Sequence, residues 1–408
     1  MKSLQKKLLD ESGQVMVLAV LCLTVLLGFV AFAVDVGILL RQKRVEQTAA
    51  DSAALAGAAE ISYGDVTAGA QNDAAQNGVP SSAVSVHNPP ISGPNSGNSA
   101  YVEVDISENQ PTFFMNLFHL SSLAVGARAV ATNVPSTNCV YTLGLTGTDI
   151  LQTENPGGSG NLTISNCSIL DDSSDPTAAL KRTGSGSISA KSIGIVGNYS
   201  QTGSGSISPN PTTGITAVLN PLSLTAPSYV ASSCSAAFSN SGGSSVTIPG
   251  PSTPGGIICY DGISNTGSGT ITFPAGTYVI NGNFSNSGSA GLSGTGVTFY
   301  LPPGSNSLSI NGSGTINLSA PTTGMYSGIL FYQDPDDIMT MSITGSSSRT
   351  FNGIFYAPNA ELDLTGSTGA TFDTDLVVGS LKISGSVNIS DYAPLAGVSP
   401  LSNSTMVE

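Results

Sequence analysis

Residues 183–189 read TGSGSIS, and the identical phrase returns at 202–208. TGSGTIT at 266–272 and NGSGTIN at 311–317 repeat it with small changes. Looser forms stand at 292–301 (LSGTGVTFYL), 364–372 (LTGSTGATF) and 383–389 (ISGSVNI). Neighbouring copies fall about 19 to 26 residues apart, with longer gaps where the chain is irregular. A period near twenty built from short β-rich units is the signature of a solenoid. Each short strand alternates apolar and polar side chains, so one set can face inward. Gly and Asn permit sharp corners between strands. A single coil cannot bury its own apolar face, but stacked coils make a continuous core in which Ser, Thr and Asn at equivalent positions form ladders. The phrase therefore predicts an all-β, right-handed parallel β-helix over residues 137–396. A β-sandwich of antiparallel hairpins is the alternative. Proline-bearing stretches around 209–227 (PNP, PLSLTAP) mark an interruption within it.

Upstream, residues 63–136 have the pattern of a small α+β module. VTAGAQNDAAQNGV is helical in character and stops at Asn77-Gly78. AVSVH near 83–87, AYVEVDI at 100–106 and LAVGARAVATNV at 123–134 alternate like strands. PTFFMNLFHL, with Pro111 at a first helical position, reads as a second helix burying Phe113, Phe114, Leu117 and Phe118. A long helix leading into a small sheet is a pilin-like layout.

The long helix is the N-terminal zone, 1–62. Residues 15–34 (VMVLAVLCLTVLLGFVAFAV) carry no charge and match the length that crosses a bilayer, with the apolar pattern reaching as far as residue 40. The run exceeds the apolar core of a cleaved signal peptide and continues into RQKRVEQTAADSAALAGAAE, so a retained anchor and stalk are expected. The stalk is dense in small residues, Ala49, Ala50, Ala53, Ala54 and Ala56 among them, which let another helix approach closely. Asp35 falls at the membrane edge, where a carboxylate reaches water. Residues 397–408 form a C-terminal tail.

Flanking charges leave the orientation undecided: Lys2, Lys6 and Lys7 precede the span, and Arg41, Lys43 and Arg44 follow it. The cysteines decide it. Cys139, Cys167, Cys234 and Cys259 form an even set in a Ser-, Thr-, Asn- and Gly-rich region, which reads as two disulfides in an oxidising compartment. Cys139 and Cys167, like Cys234 and Cys259, lie about one irregular coil apart, so pairing in that order is expected among three possible connectivities. Cys22 lies inside the span. The N-terminus is thus expected in the cytoplasm, with one pass through the membrane and the bulk outside it.

The net charge of −14 comes wholly from residues beyond 60. Such an acidic surface, poor in Lys and Arg, cannot neutralise phosphates, which excludes nucleic acid as a partner. Catalysis finds little support. His87 and His119 are far apart in sequence, and there is no CxxC pair. The GSG phrases lack the Lys and following helix of a phosphate loop. Asp171, Asp172 and Asp175, and Asp334, Asp336 and Asp337 near Arg349, are the clusters in which a calcium site or a polysaccharide-cleaving centre would have to reside. Asp is also a common turn residue, and loops between coils are the simpler reading. No enzyme activity, cofactor or metal is expected.

The segment ESGQVMVLAVLCLTVLLGFVAFAVDVGILLRQKRVEQTAADSAALAGA carries a more specific pattern. Gly13 at its start, the apolar span, Ala-Val-Asp-Val-Gly at 33–37, the basic step at 41–44 and the small-residue run resemble the N-terminus of TadG-like proteins. These belong to the bacterial tight-adherence (Tad/Flp) pilus assembly systems. PTFFMNLF and LAVGARAVAT resemble that family's second segment. PLSLTAPS, PGGIICYDGI, FPAGTYVINGN, SGILFYQD and NGIFYAPNAELDL resemble the Gly/Ser-rich extension of some members. The resemblance implies a membrane-bound pilus-assembly or pilus-associated protein whose partners are pilins or other assembly proteins, and it supplies no catalytic residues. Surface glycans are a further candidate partner, for an adhesin role. One departure stands out. Prepilins carry Glu five residues after the Gly of their cleavage site, whereas Leu18 holds that place here.

Overall fold

The computed structural model describes residues 12–61, 65–154, 161–218, 220–222, 224–253, 255–304, 307–346, 348–367, 370–392 and 401–407. The expected boundaries at 62/63 and 396/397, and Lys2, Lys6 and Lys7, lie outside them. The chain forms two compact units. One comprises Met1–Asn133 with Ser404–Glu408, and the other Val134–Asn403.

In the first unit, α1 (Ser12–Ala59) is one uninterrupted 48-residue helix. Its apolar N-terminal half is exposed, and its most apolar window has a mean hydropathy of 2.9. From Asp35 onward the helix acquires a buried stripe, Asp35, Glu46, Ala49, Ala50, Ala53, Ala54 and Ala58, that follows helical spacing. Against this stripe packs α2 (Val66–Gln76). Asp65 caps α2 by accepting from the amides of Thr67 and Ala68, both at 3.0 Å. Gly78, at φ +84°, follows its C-terminal cap. Three strands, β1 (Val84–His87), β2 (Tyr101–Pro111) and β3 (Ser122–Pro135), pair antiparallel. Val102, Val104, Ile106, Ala127, Ala129 and Ala131 close the core over the alanines of α1.

Two features differ from the sequence reading. The β2–β3 ladder continues to Pro111 opposite Ser122, so PTFFMNLFHL forms a hairpin tip and not a second helix. Only Met115–Phe118 turn as a short 3-10 helix, and Phe113, Phe114, Leu117 and Phe118 are exposed. At the other end of the chain, Ser402–Met406 is no free tail. It forms a strand hydrogen-bonded beside β3.

The second unit is a large body of short strands. Every pairing among its described strands is parallel, the arrangement of stacked coils and not of sandwich hairpins, and it is compatible with a β-helix. Its repeats fix equivalent residues in register. Asn240, Asn265 and Asn286 align across three successive strands. Asn240 donates to Asn265 at 3.2 Å, and Asn265 donates to the carbonyl of Gly291 at 2.8 Å. Phe299 stacks on Phe331 (5.5 Å), and Phe351 on Phe372 (5.5 Å). The GSG phrase has a steric origin. Gly184 and Gly203 both take positive φ, and a Cβ on Gly205 would stand 1.8 Å from the carbonyl oxygen of Gly186. Coil corners approach so closely that no side chain fits between them.

Coil order in space is not coil order in sequence. From Phe238–Asn240 the strands climb through Ile263–Asn265, Phe284–Asn286, Leu308–Ile310, Met341–Gly345 and Ile354–Gly366 to Leu376–Gly385. Leu376–Gly385 then pairs with Asn138–Thr142 and Leu151–Glu154, the first strands of the body. Above them sit Ser168–Asp171 and Leu180–Arg182, then Ile193–Ile195 and Tyr199–Gln201. The chain therefore starts mid-stack, and it must return to the far end before it can climb.

The proline-bearing stretch makes that return. Asn220 donates to the Tyr356 hydroxyl at 2.8 Å, while Tyr332 donates to the Leu224 carbonyl (3.1 Å) and Tyr326 to that of Thr225 (2.8 Å). Tyr229 packs edge-on to Tyr300. Tyr300, Tyr332 and Tyr356 are themselves register neighbours, so the strap descends a tyrosine ladder one coil at a time. A disulfide from Cys234 to Cys259 fastens its lower end, and a second joins Cys139 to Cys167 in the first coils.

Candidate functional site

The most distinctive chemistry of the first unit lies where the apolar half of α1 ends. Asp35 is 1% exposed. Its Oδ1 accepts from the Phe113 amide at 2.9 Å, and its Oδ2 from those of Phe114 (2.9 Å) and Met115 (2.6 Å). One carboxylate thus binds three consecutive amides at the hairpin tip, in place of reaching water as the sequence reading expected. Further along α1, Gln42 donates to Glu108 (3.0 Å), Lys43 to the Gly126 carbonyl and Gln47 to the Arg128 carbonyl (3.1 Å). Between Asp35 and Gln47 the helix is thus clamped to the hairpin. A lone acid in an apolar run was the available signal for Asp35. Its partners lie nearly eighty residues away and left no local trace.

The hairpin tip and α1 enclose an apolar groove of about 960 Å³, lined on the helix by Val25, Gly28, Phe29, Ala31 and Phe32. Of the alanines singled out for helix packing, Ala49, Ala50, Ala53 and Ala54 are fully buried within the unit, and Ala56 is partly buried. Gly57 lies where a Cβ would meet Ala70 and Val102 at 3.2 Å. The small-residue face is thus occupied by α2 and β2 of the same unit.

Glu103 anchors the other end of the hairpin. Burial opposes its ionisation, but bonds from Ser92, from Arg128 (2.5 Å) and from the Ile91 amide (2.7 Å) outweigh it and hold its pKa at about 2. His87 lies 3.9 Å from Asp105, and His119 ends the tip with φ +65°. The two histidines share no site.

In the body, the acidic clusters close turns. Asp334 accepts from the Tyr300 hydroxyl (2.6 Å) and the Asp336 amide (3.0 Å), Asp337 from the Met339 amide (3.1 Å), and Asp336 is exposed. Arg349 is buried and donates to the carbonyls of Gly314, Ile310, Thr344 and Gly312, a corner-filling role. Asp171 and Asp172 are also buried. Asp171 accepts from Ser173 (3.1 Å) and Asp172 from Val218 (3.0 Å). Desolvation pushes their pKa values up to about 7 and about 6. Among the described residues, no group of three or more His, Cys, Asp or Glu side chains is placed to hold a metal. A cleft of about 400 Å³ runs beside the strap. Pro227, Ile257, Pro321, Met325 and Tyr326 line it with hydroxyl residues, and no carboxylate does among the described residues.

These features define a class: a chain whose exposed, membrane-length helix is built into a small α+β unit, followed by a parallel β body. Residues 13–60 match the family model described as putative Flp pilus-assembly TadE/G-like, and the match lies over α1. No curated protein and no solved structure matches the chain. The exposed apolar helix and the family match together support a membrane-anchored, pilus-related component.

Proposed function

We propose that this protein is a non-enzymatic component of Tad/Flp-type pilus assembly or of pilus-linked surface attachment. It crosses the inner membrane once with its N-terminus in the cytoplasm and carries its β body outside. The observation that carries this reading is the coincidence of the TadE/G-like match with the exposed apolar helix α1. Two disulfides in the body support an oxidising compartment. The body supplies a stiff scaffold whose polar faces meet pilins or other assembly proteins. Complementing a deletion strain with the full chain, or with the chain lacking residues 13–60, tests the role. Pili and attachment return only with the full chain, and piliation and attachment unaffected by the deletion sink the reading.

A second reading, glycan attachment through the body, has one observation in its favour. The cleft beside the strap combines apolar side chains with hydroxyls, a lining suited to sugar faces. Retention of the purified protein on a glycan array, lost in Tyr326→Ala, would favour it. A polysaccharide-cleaving role has no such support, since general acid–base cleavage needs paired carboxyls in the cleft.

A further inference from the structure

We propose that the hairpin tip 113–120 lies inside the bilayer beside the span, seated by Asp35, so that the protein meets lipid acyl chains through a helix-plus-loop surface. The proposal rests on the reading of α1 as a membrane span.

Depth is the first argument. Tip and helix line one groove that reaches Val25. Val25 lies ten residues from Asp35, or about 15 Å along a helix axis. The hydrocarbon core is about 30 Å thick. A span placed across the bilayer therefore puts the tip level with its nearer half.

Composition is the second. Phe113, Phe114, Leu117, Phe118 and Leu120 are 69, 50, 83, 74 and 48% exposed. They continue the exposed apolar surface of Phe29 and Phe32 on the helix. Contiguous apolar exposure of this kind marks a surface that meets a partner or a membrane. Residues 111–124 contain no Asp, Glu, Lys or Arg.

The backbone is the third. Irregular chain is kept out of hydrocarbon unless the protein itself satisfies its backbone polar groups. Asp35 takes the amides of Phe113, Phe114 and Met115. Leu117, His119 and Leu120 donate within the tip to Phe114, Asn116 and Met115, and Thr112 donates to Ser121 at its neck. The relation is mutual, because the tip in turn shields the carboxylate from lipid.

The chain has no tryptophan, so a single introduced one reports cleanly. The full-length protein would be reconstituted in phosphatidylcholine vesicles with brominated acyl chains, carrying Leu117→Trp, Leu23→Trp in the span or Ile91→Trp elsewhere on the unit. Emission from L117W and L23W should be blue-shifted and quenched by bromine, and that from I91W should not. If L23W is quenched while L117W emits like I91W, the tip is in water and the proposal fails, though the span stands. If L117W is blue-shifted but unquenched, another protein surface or a second copy covers the tip, and the proposal fails equally. An unquenched L23W overturns the span and the proposal with it. Adding Asp35→Ala should abolish most of the quenching in L117W but spare it in L23W. Unchanged quenching in L117W/D35A overturns the seating role of Asp35.

Discussion

Val377 pairs in parallel register with Tyr141, which stacks the last coil of the body on its first. The same strand is paired on its other side, where Val377 meets Tyr356. The C-terminal coil is therefore an interior layer, covered above and below by chain that precedes it. Neither end of the stack is a free end of the body's sequence, and the strap from residue 220 to 229 is the connection this order demands.

Because the junction is interior, damage there should be felt by the whole body. Leu381 is fully buried between Leu362 and Leu151. Leu381→Ala should cost about 2–5 kcal/mol. Chemical denaturation followed by circular dichroism should show one transition at lower midpoint, without a separate early phase from the N-terminal coils.

The glycines of the repeat divide into two kinds. A Cβ on Gly267 would sit 1.9 Å from the Gly242 carbonyl, whereas one on Gly242 meets nothing closer than 4.0 Å. Gly267→Ala should destabilise by about 1–3 kcal/mol, and Gly242→Ala should leave the melting temperature almost unchanged.

The two units should respond oppositely to pH. Asp171 and Asp172 have folded-state pKa values raised to about 7 and about 6 by burial. Ionisation is harder in the fold, so these groups reduce body stability as pH rises from about 4 through 7. Asp171→Asn should flatten that slope and raise the melting temperature at pH 8. Glu103 is held at about 2 by Ser92 and Arg128 against the opposing effect of burial. Its contribution to the small unit is present at neutral pH and is lost as pH falls from about 5 towards 2. Amide protection in β2, taken relative to the intrinsic exchange rate at each pH, should fall with acid, and less so in Glu103→Gln.

Cys234–Cys259 closes a loop of 25 residues and fastens the strap to the coil below it. Replacing both residues by Ala should cost about 2–4 kcal/mol. Protease susceptibility should rise first around residues 226–235, because the strap there has lost its lower fastening. Limited proteolysis with mass mapping checks this. Cleavage confined to the small unit would contradict it.

The repeat phrase favoured parallel stacking but left a sandwich of hairpins open, and the parallel pairing of the body's described strands decided between them. The apolar run and the alanine-rich stretch likewise announced one helix. The tip PTFFMNLFHL misled because its apolar spacing suits a buried helix face. The ladder from Tyr101 to Pro111 extends through its first residue, and between the two strands only Met115–Phe118 turns. Burial of Asp35 was equally illegible, resting on amides from Phe113 to Met115 that only folding brings near.

Local pattern thus determined the parts: a membrane-length helix, a small alternating sheet and a body of short stacked strands with cysteines one coil apart. Tertiary structure alone decided the order of the coils and the seat of the hairpin tip. The physical reason is degeneracy. Strands with the same alternation of apolar and polar residues pair almost equally well with any neighbour. Long-range contacts such as Tyr356 with Asn220 and Val377 with Tyr141 select one stacking order from many.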